Sequence, residues 1–265
     1  MAETDAASPW GPRPDAPAPA DPAAAPPRSM WREIAWGALS TALLAAFVGW
    51  QLGWLAAVAI VAGVFVHEFG HVLVINWAGC GPSSIRIIPF LGGAATMKKA
   101  PESEFKAVLI ALAGPAAGLA AALPFFALAA ATQQRAWLAG AFFVGVLNLV
   151  NLAPAPPLDG AKALGPVLAR LHPALERAAL VLVGALAVVW GVARGSYIFA
   201  VFVGLSVVGA AMSRNLRAPA RPLGWPQWGA SLGLYGAVLA LAIAVVLLSL
   251  GGAPQRLMAF IAGRA

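Results

Sequence analysis

Six stretches of this chain run without a single Asp, Glu, Lys, Arg or His, and that property restricts it to very few folds. They extend from Ile34 to Val66, Ala107 to Gln134, Ala136 to Leu158, Ala178 to Ala193, Gly195 to Ser213 and Pro222 to Gln255. About 20 apolar residues suffice to cross a bilayer as a helix. In hydrocarbon a helix is the economical solution, because it satisfies its backbone hydrogen bonds internally. With 61% hydrophobic and 10% charged residues over 265 positions, the chain is expected to be an all-α polytopic membrane protein. The first run, continued to Trp77, is long enough for two helices, with "GWQLGW" (Gly49 to Trp54) as the turn between them. That gives six to seven spans, near residues 34–50, 53–78, 108–131, 136–153, 178–193, 196–213 and 228–250.

Three regions follow from composition. Residues 1–30 are rich in Ala and hold eight prolines, with both charge signs interspersed; such a segment cannot bury a core and is expected to be a disordered cytoplasmic tail. It does not read as a secretory signal. Residues 31–213 form the membrane-embedded core, and residues 214–265 hold a basic loop, a last transmembrane helix and a tail. The single cysteine, Cys80, excludes an internal disulfide and a thiolate metal cluster.

The net charge of +7 does not point to nucleic acid in such a chain; its distribution sets topology instead. With the N-terminus in the cytoplasm, thirteen Lys and Arg residues fall inside, among them Lys98, Lys99, Lys106, Lys162, Arg170 and Arg221, against four outside: Arg135, Arg194, Arg256 and Arg264. Tryptophans cluster near the expected span ends, as at Trp50, Trp54, Trp77, Trp190 and Trp225. The expected location is a cell membrane, with a bacterial inner membrane suggested by the Ala- and Pro-rich composition.

Against this background a few ionisable groups stand out. Of ten acidic residues only Glu68 and Asp159 lie beside apolar runs, and of three histidines His67 and His71 lie within the second span. An ionisable group at membrane depth is costly unless paired or ligated, so it marks a functional site by default. Residues four apart on a helix share a face about 6 Å apart along the axis, so His67 and His71 can aim ring nitrogens at one metal. Glu68 is then within reach of a water beside that metal. This is the H-E-x-x-H pattern of zinc peptidases, with two imidazoles as ligands and the glutamate as general base. Shuffling the composition yields it on the order of one time in a thousand. Counting from Trp77 puts His71 about 9 Å and His67 about 15 Å below the cytoplasmic interface.

A catalytic zinc site takes a third protein ligand and leaves a position open. Asp159 is the other carboxylate near membrane depth, in "NLVNLAPAPPLDGAK" (Asn148 to Lys162) at the cytoplasmic end of the fourth span. Prolines 154, 156 and 157 end that helix and favour extended backbone, which would let the segment turn back toward the metal. Taken alone, Asp-Gly reads as a turn leaving the membrane. The metal site is therefore expected between the second and fourth spans.

"HEFGH" in an early span followed by N-x-x-P-x-x-x-L-D-G ("NLAPAPPLDG") resembles the site-2 protease family of intramembrane zinc metalloproteases. The likeness covers about residues 50–165, including "FLGGAATM" (Phe90 to Met97) and "ALAGP" (Ala111 to Pro115). It implies one Zn²⁺ per chain held by His67, His71 and Asp159, with Glu68 as catalytic residue. It implies hydrolysis of peptide bonds in transmembrane helices of membrane-protein substrates, the chemistry of regulated intramembrane proteolysis. Asn151 would contact substrate at the cleft; alternatively it shares an interhelical hydrogen bond with Asn148. The family's asparagine after A-G-P is Gly118 here, so an oxyanion donor would come from Asn151 or Asn148, and Gly114 with Gly118 reads as a helix-packing G-x-x-x-G. The chain shows no PDZ insertion and no CBS pair. "SSIRIIPF" is β-prone and either pairs with an unwound substrate or lies at the lipid surface. The competing expectation is a non-hydrolytic membrane protein, either a degenerate protease that holds client helices or a metal transporter. Partners are the lipid bilayer and a substrate helix; nothing in the sequence speaks to oligomeric state.

Overall fold

The computed structural model describes residues 30–83, 85–88, 92–212 and 220–251. The Ala- and Pro-rich tail and the basic residues Arg214 and Arg217 lie outside them. The chain divides into two compact units, residues 1–36 and 37–265, and the second contains His67, Glu68, His71 and Asp159.

Among the described residues the chain forms nine α-helices and one β-hairpin, with five helical stretches long and apolar enough to cross a membrane. Helices α1 (Met30–Leu52) and α2 (Trp54–Trp77) break at Gly53, whose φ of 89° only glycine adopts freely. Helix α3 (Glu104–Gly118) starts where Ser103 accepts a hydrogen bond from the Lys106 N–H, 3.3 Å, and carries Glu104 in its first turn. It continues through a 3₁₀ turn, Leu119–Ala122, into α4 (Leu123–Thr132), so that residues 104–132 make one stretch long and apolar enough to cross a membrane. Helix α5 (Leu138–Asn151) runs back.

The next element was not expected. The sequence places residues beyond the fourth span in a cytoplasmic loop, whereas Asp159–Leu171 form a helix, α6. The cause is amphipathicity over a length too short to signal a span. Ala163, Pro166 and Val167 are buried on one side while the Lys162 side chain is two-thirds exposed. Helices α7 (Pro173–Ala193) and α8 (Tyr197–Met212) follow as a pair, and α9 (Trp225–Ser249) closes the chain.

Helix α2 is central, packed on α3 and α5, which in turn pack on α9; α7 and α8 pack on each other, and α7 on α6. The core joins Ala59, Val108, Ala111, Ala122, Ala141 and Val144, all small or medium side chains at most 2% exposed. Without a hydrophobic driving force in lipid, helices associate by close van der Waals packing, and small residues permit it. The hairpin pairs β1 (Ile85–Ile88) with β2 (Gly92–Ala95) antiparallel, Ile85 opposite Ala95 and Ile88 opposite Gly92, and lies against α2.

Candidate metal centre

Helical geometry delivers His67 and His71 to the same face of α2, four residues and one turn apart. The first residue of α6 meets them there. His67 Nε2 lies 3.0 Å and His71 Nε2 3.1 Å from Asp159 Oδ2, and the two Nε2 atoms are 3.1 Å apart. All three residues are less than a tenth exposed. The site thus lies between α2 and the segment that follows α5.

The other ring nitrogens determine what this triangle can hold. His67 Nδ1 is 2.9 Å from Asn148 Oδ1. The Asn148 amide is oriented by its own Nδ2, which donates to the Val144 carbonyl at 2.9 Å, so Oδ1 is the acceptor and His67 Nδ1 carries the proton. His71 Nδ1 donates to the Ile110 carbonyl at 2.7 Å. In the neutral rings both Nε2 atoms are therefore bare lone pairs, and they converge with a carboxylate oxygen. Such a set repels itself unless a cation sits among it. Among the described residues the cation that pairs with Asp159 is Lys162, whose Nζ is 3.5 Å from Asp159 Oδ1 and whose side chain is mostly exposed. A pair of that kind contributes about 1 kcal/mol or less, whereas structural zinc in zinc-finger peptides contributes about 10–16 kcal/mol.

Zinc fits the triangle. With bonds of about 2.0 Å, two tetrahedral zinc ligands stand about 3.3 Å apart, close to the observed edges. The donors, two imidazoles and one carboxylate, match three-ligand catalytic zinc sites, and the two Nδ1 bonds are the outer contacts that fix ligand tautomers.

Glu68 is 5% exposed, and its Oε2 has no hydrogen-bond partner among the described residues. The backbone of Ala95, the last residue of β2, lies against its carboxylate. A buried carboxylate oxygen left open beside a group that could hold a metal is the arrangement a general base needs.

Helix α3 can approach this centre only because of its glycines. A Cβ on Gly114 would collide with the Nε2 atoms of His71 and His67, and one on Gly118 would collide with the Asn148 amide. The G-x-x-x-G pattern therefore presses α3 against the imidazoles and against Asn148. Asn148 itself is 0% exposed and bonded to His67. Asn151 is half-buried, and its Nδ2 donates to the Leu147 carbonyl at 3.1 Å. The Ile110 carbonyl and Asn148 as imidazole partners escaped the sequence reading; an asparagine inside an apolar span, three turns before the aspartate, was the signal for the second.

Comparisons with known proteins bear on part of the chain. Over 122 residues the chain is 34% identical to "Putative zinc metalloprotease sll0528" of Synechocystis sp., covering 43% of this chain and 31% of that protein. Over 142 residues it is 37% identical to "Putative zinc metalloprotease Rip3" of Mycobacterium tuberculosis, covering 48% of this chain and 34% of that one. The chain thus spans about a third of the length of these relatives. Residues 55–135 match the family described as "Peptidase family M50". The residues matched to this family include His67, Glu68 and His71.

Proposed function

We propose that this protein is an intramembrane zinc metalloprotease of the site-2 type, which hydrolyses peptide bonds in or at the edge of transmembrane helices. The observation that carries the reading is the convergence of two Nε2 lone pairs and the Asp159 carboxylate, with the open Glu68 Oε2 beside them. His67, His71 and Asp159 hold one zinc. Zinc, when bound, polarises the scissile carbonyl and acidifies water.

The chain's own residues do the rest. Glu68 takes a proton from the attacking water at Oε2 and returns it to the leaving amine. Asn148 and the Ile110 carbonyl keep both imidazoles in the Nδ1–H tautomer throughout the cycle. The apolar helices α2, α3 and α5 exclude bulk solvent, which strengthens each electrostatic contact in the site. A helical substrate hides its carbonyls and must unwind first; the hairpin beside Glu68 offers an extended edge for it. Asn151, at the end of α5, is the candidate substrate contact. The N-terminus is cytoplasmic, in the bacterial inner membrane.

The test compares new protein termini, by mass spectrometry, in membranes of the native host carrying the wild type or Glu68→Gln. Termini inside transmembrane segments that need the wild type establish the protease. Equal termini in both strains, with zinc retained by both proteins, favour a non-hydrolytic client-holding role instead.

A further inference from the structure

Asp159 is delivered to the histidines by a short loop, residues 152–158, and that loop is held from an element far away in sequence. The Leu152 carbonyl lies just past α5, where a helix leaves its last carbonyls without intrahelical partners. Tyr235 of α9 donates its hydroxyl to this carbonyl at 2.6 Å, with both residues buried. The same carbonyl is packed against Gly160, where a Cβ would collide with the Leu152 and Ala153 carbonyls. The loop therefore closes on itself: its first carbonyl touches the residue next to Asp159, and Tyr235 fixes that point of closure. Within the loop, Ala155 N–H donates to the Ala153 carbonyl, 2.8 Å, and Leu158 N–H to the Ala155 carbonyl, 2.9 Å. These local turns shape the loop but do not anchor it to the bundle.

Helix α9 is itself well seated for this. Trp228, seven residues and two turns before Tyr235 on the same face, donates Nε1–H to the Val167 carbonyl of α6 at 2.9 Å. Farther along, a Cβ on Gly145 of α5 would lie 2.9 Å from the side chains of Val245 and Val246. Helix α9 thus grips the elements on both sides of the loop. None of it lies in residues 55–135, the part that matches the peptidase family.

We propose that Tyr235 is a positioning residue for Asp159: its hydroxyl, through the Leu152 carbonyl and Gly160, holds the carboxylate at the distance the two imidazoles require. This rests on the zinc reading of the site. Removing the hydroxyl frees the Leu152 carbonyl to turn, and Asp159 gains freedom to leave the triangle.

The experiment uses full-length protein purified in detergent as wild type, Tyr235→Phe, Trp228→Phe and His67→Ala. Zinc content, the rate of zinc transfer to a chromogenic chelator, the visible spectrum of the cobalt-loaded protein and Tm are read for each. Partners that orient metal ligands change affinity about 10–100-fold. Tyr235→Phe, acting one contact further out, is expected to release zinc about 10-fold faster, with a weaker tetrahedral cobalt band. Trp228→Phe, which removes a hydrogen bond from the same helix to a carbonyl remote from Asp159, is expected to lower Tm while leaving zinc release and the cobalt band at wild-type values. Wild-type release and spectrum in Tyr235→Phe would overturn the proposal, and so would equal acceleration in both aromatic variants. A wild type that holds no more zinc than His67→Ala would instead overturn the zinc reading itself.

Discussion

The chemistry of His67 is set by an atom outside the triangle of converging ligand atoms. Because Asn148 Oδ1 accepts from Nδ1, the imidazole presents Nε2 as a lone pair; without that partner either tautomer is available and the ring can turn. Asn148→Ala is therefore expected to weaken zinc binding about 10–100-fold with the helical content retained. Chelator competition on the purified protein measures this, and unchanged affinity would mean that packing alone orients the ring. Glu68→Gln behaves differently, since Glu68 is not among the three converging ligands: zinc content should stay at one per chain while proteolysis disappears. Both histidines and the glutamate were legible in the sequence because i, i+4 spacing on a helix is local geometry. Asn148 as the partner of His67 was not, because it depends on the register of α2 against α5, which is fixed by contacts such as Gly63 on Val144 and Leu147.

At the scale of elements, α3 decides how tightly the centre is enclosed. Gly114→Ala introduces a methyl into the space occupied by the two Nε2 atoms, and the backbone must retreat or the imidazoles must turn. The expected result is loss of zinc by metal analysis from a protein that still inserts and folds. The cytoplasmic end of α3 is held separately. Arg221 N–H donates to the Glu102 carbonyl, Glu104 N–H to the Arg221 carbonyl, and Leu223 N–H to Glu104 Oε2, a strap joining the approach to α9 with the start of α3. Ser103→Ala removes the cap within that strap and is expected to cost about 1 kcal/mol, read as a lower Tm with zinc content unchanged. The strap, α6 and β2 were beyond the sequence reading for distinct reasons. The strap joins residues more than a hundred apart, α6 is too short and too charged for a span, and β2 is "GGAA", which has no alternation to mark a strand. Its partner β1, within "SSIRIIPF", was legible from its β-branched residues.

For the whole molecule, the charges found dispersed in sequence are gathered by the fold. Lys98 and Lys99 lie beside the end of α2, where their N–H groups reach the Cys80 carbonyl, and Lys106 reaches the Ala78 carbonyl. Arg221 is strapped to the start of α3, and Arg170 stacks on Trp225 at the start of α9, 4.4 Å from the ring centre. These cations share one end of the bundle, the end nearer His71 and Asp159, whereas Arg135 and Arg194 sit at the opposite helix ends. Exposed Trp50 and Trp54 mark one boundary, and exposed Trp77 and Trp225 the other. Each Lys or Arg near an anionic leaflet is attracted by about 1 kcal/mol, so the basic end should face the cytoplasm, and the metal should be reached from that side. Cysteine labelling decides it. Cys80 is buried and gives little background, while Lys99→Cys and Arg135→Cys each place one thiol at an exposed position on opposite ends. In intact spheroplasts an impermeant maleimide should label Arg135→Cys at once and Lys99→Cys only after lysis. The reverse pattern would put the basic end outside and require substrates to be cut from the far face of the membrane. Labelling of both before lysis would break the span order itself, because α3 and α4 would then no longer cross.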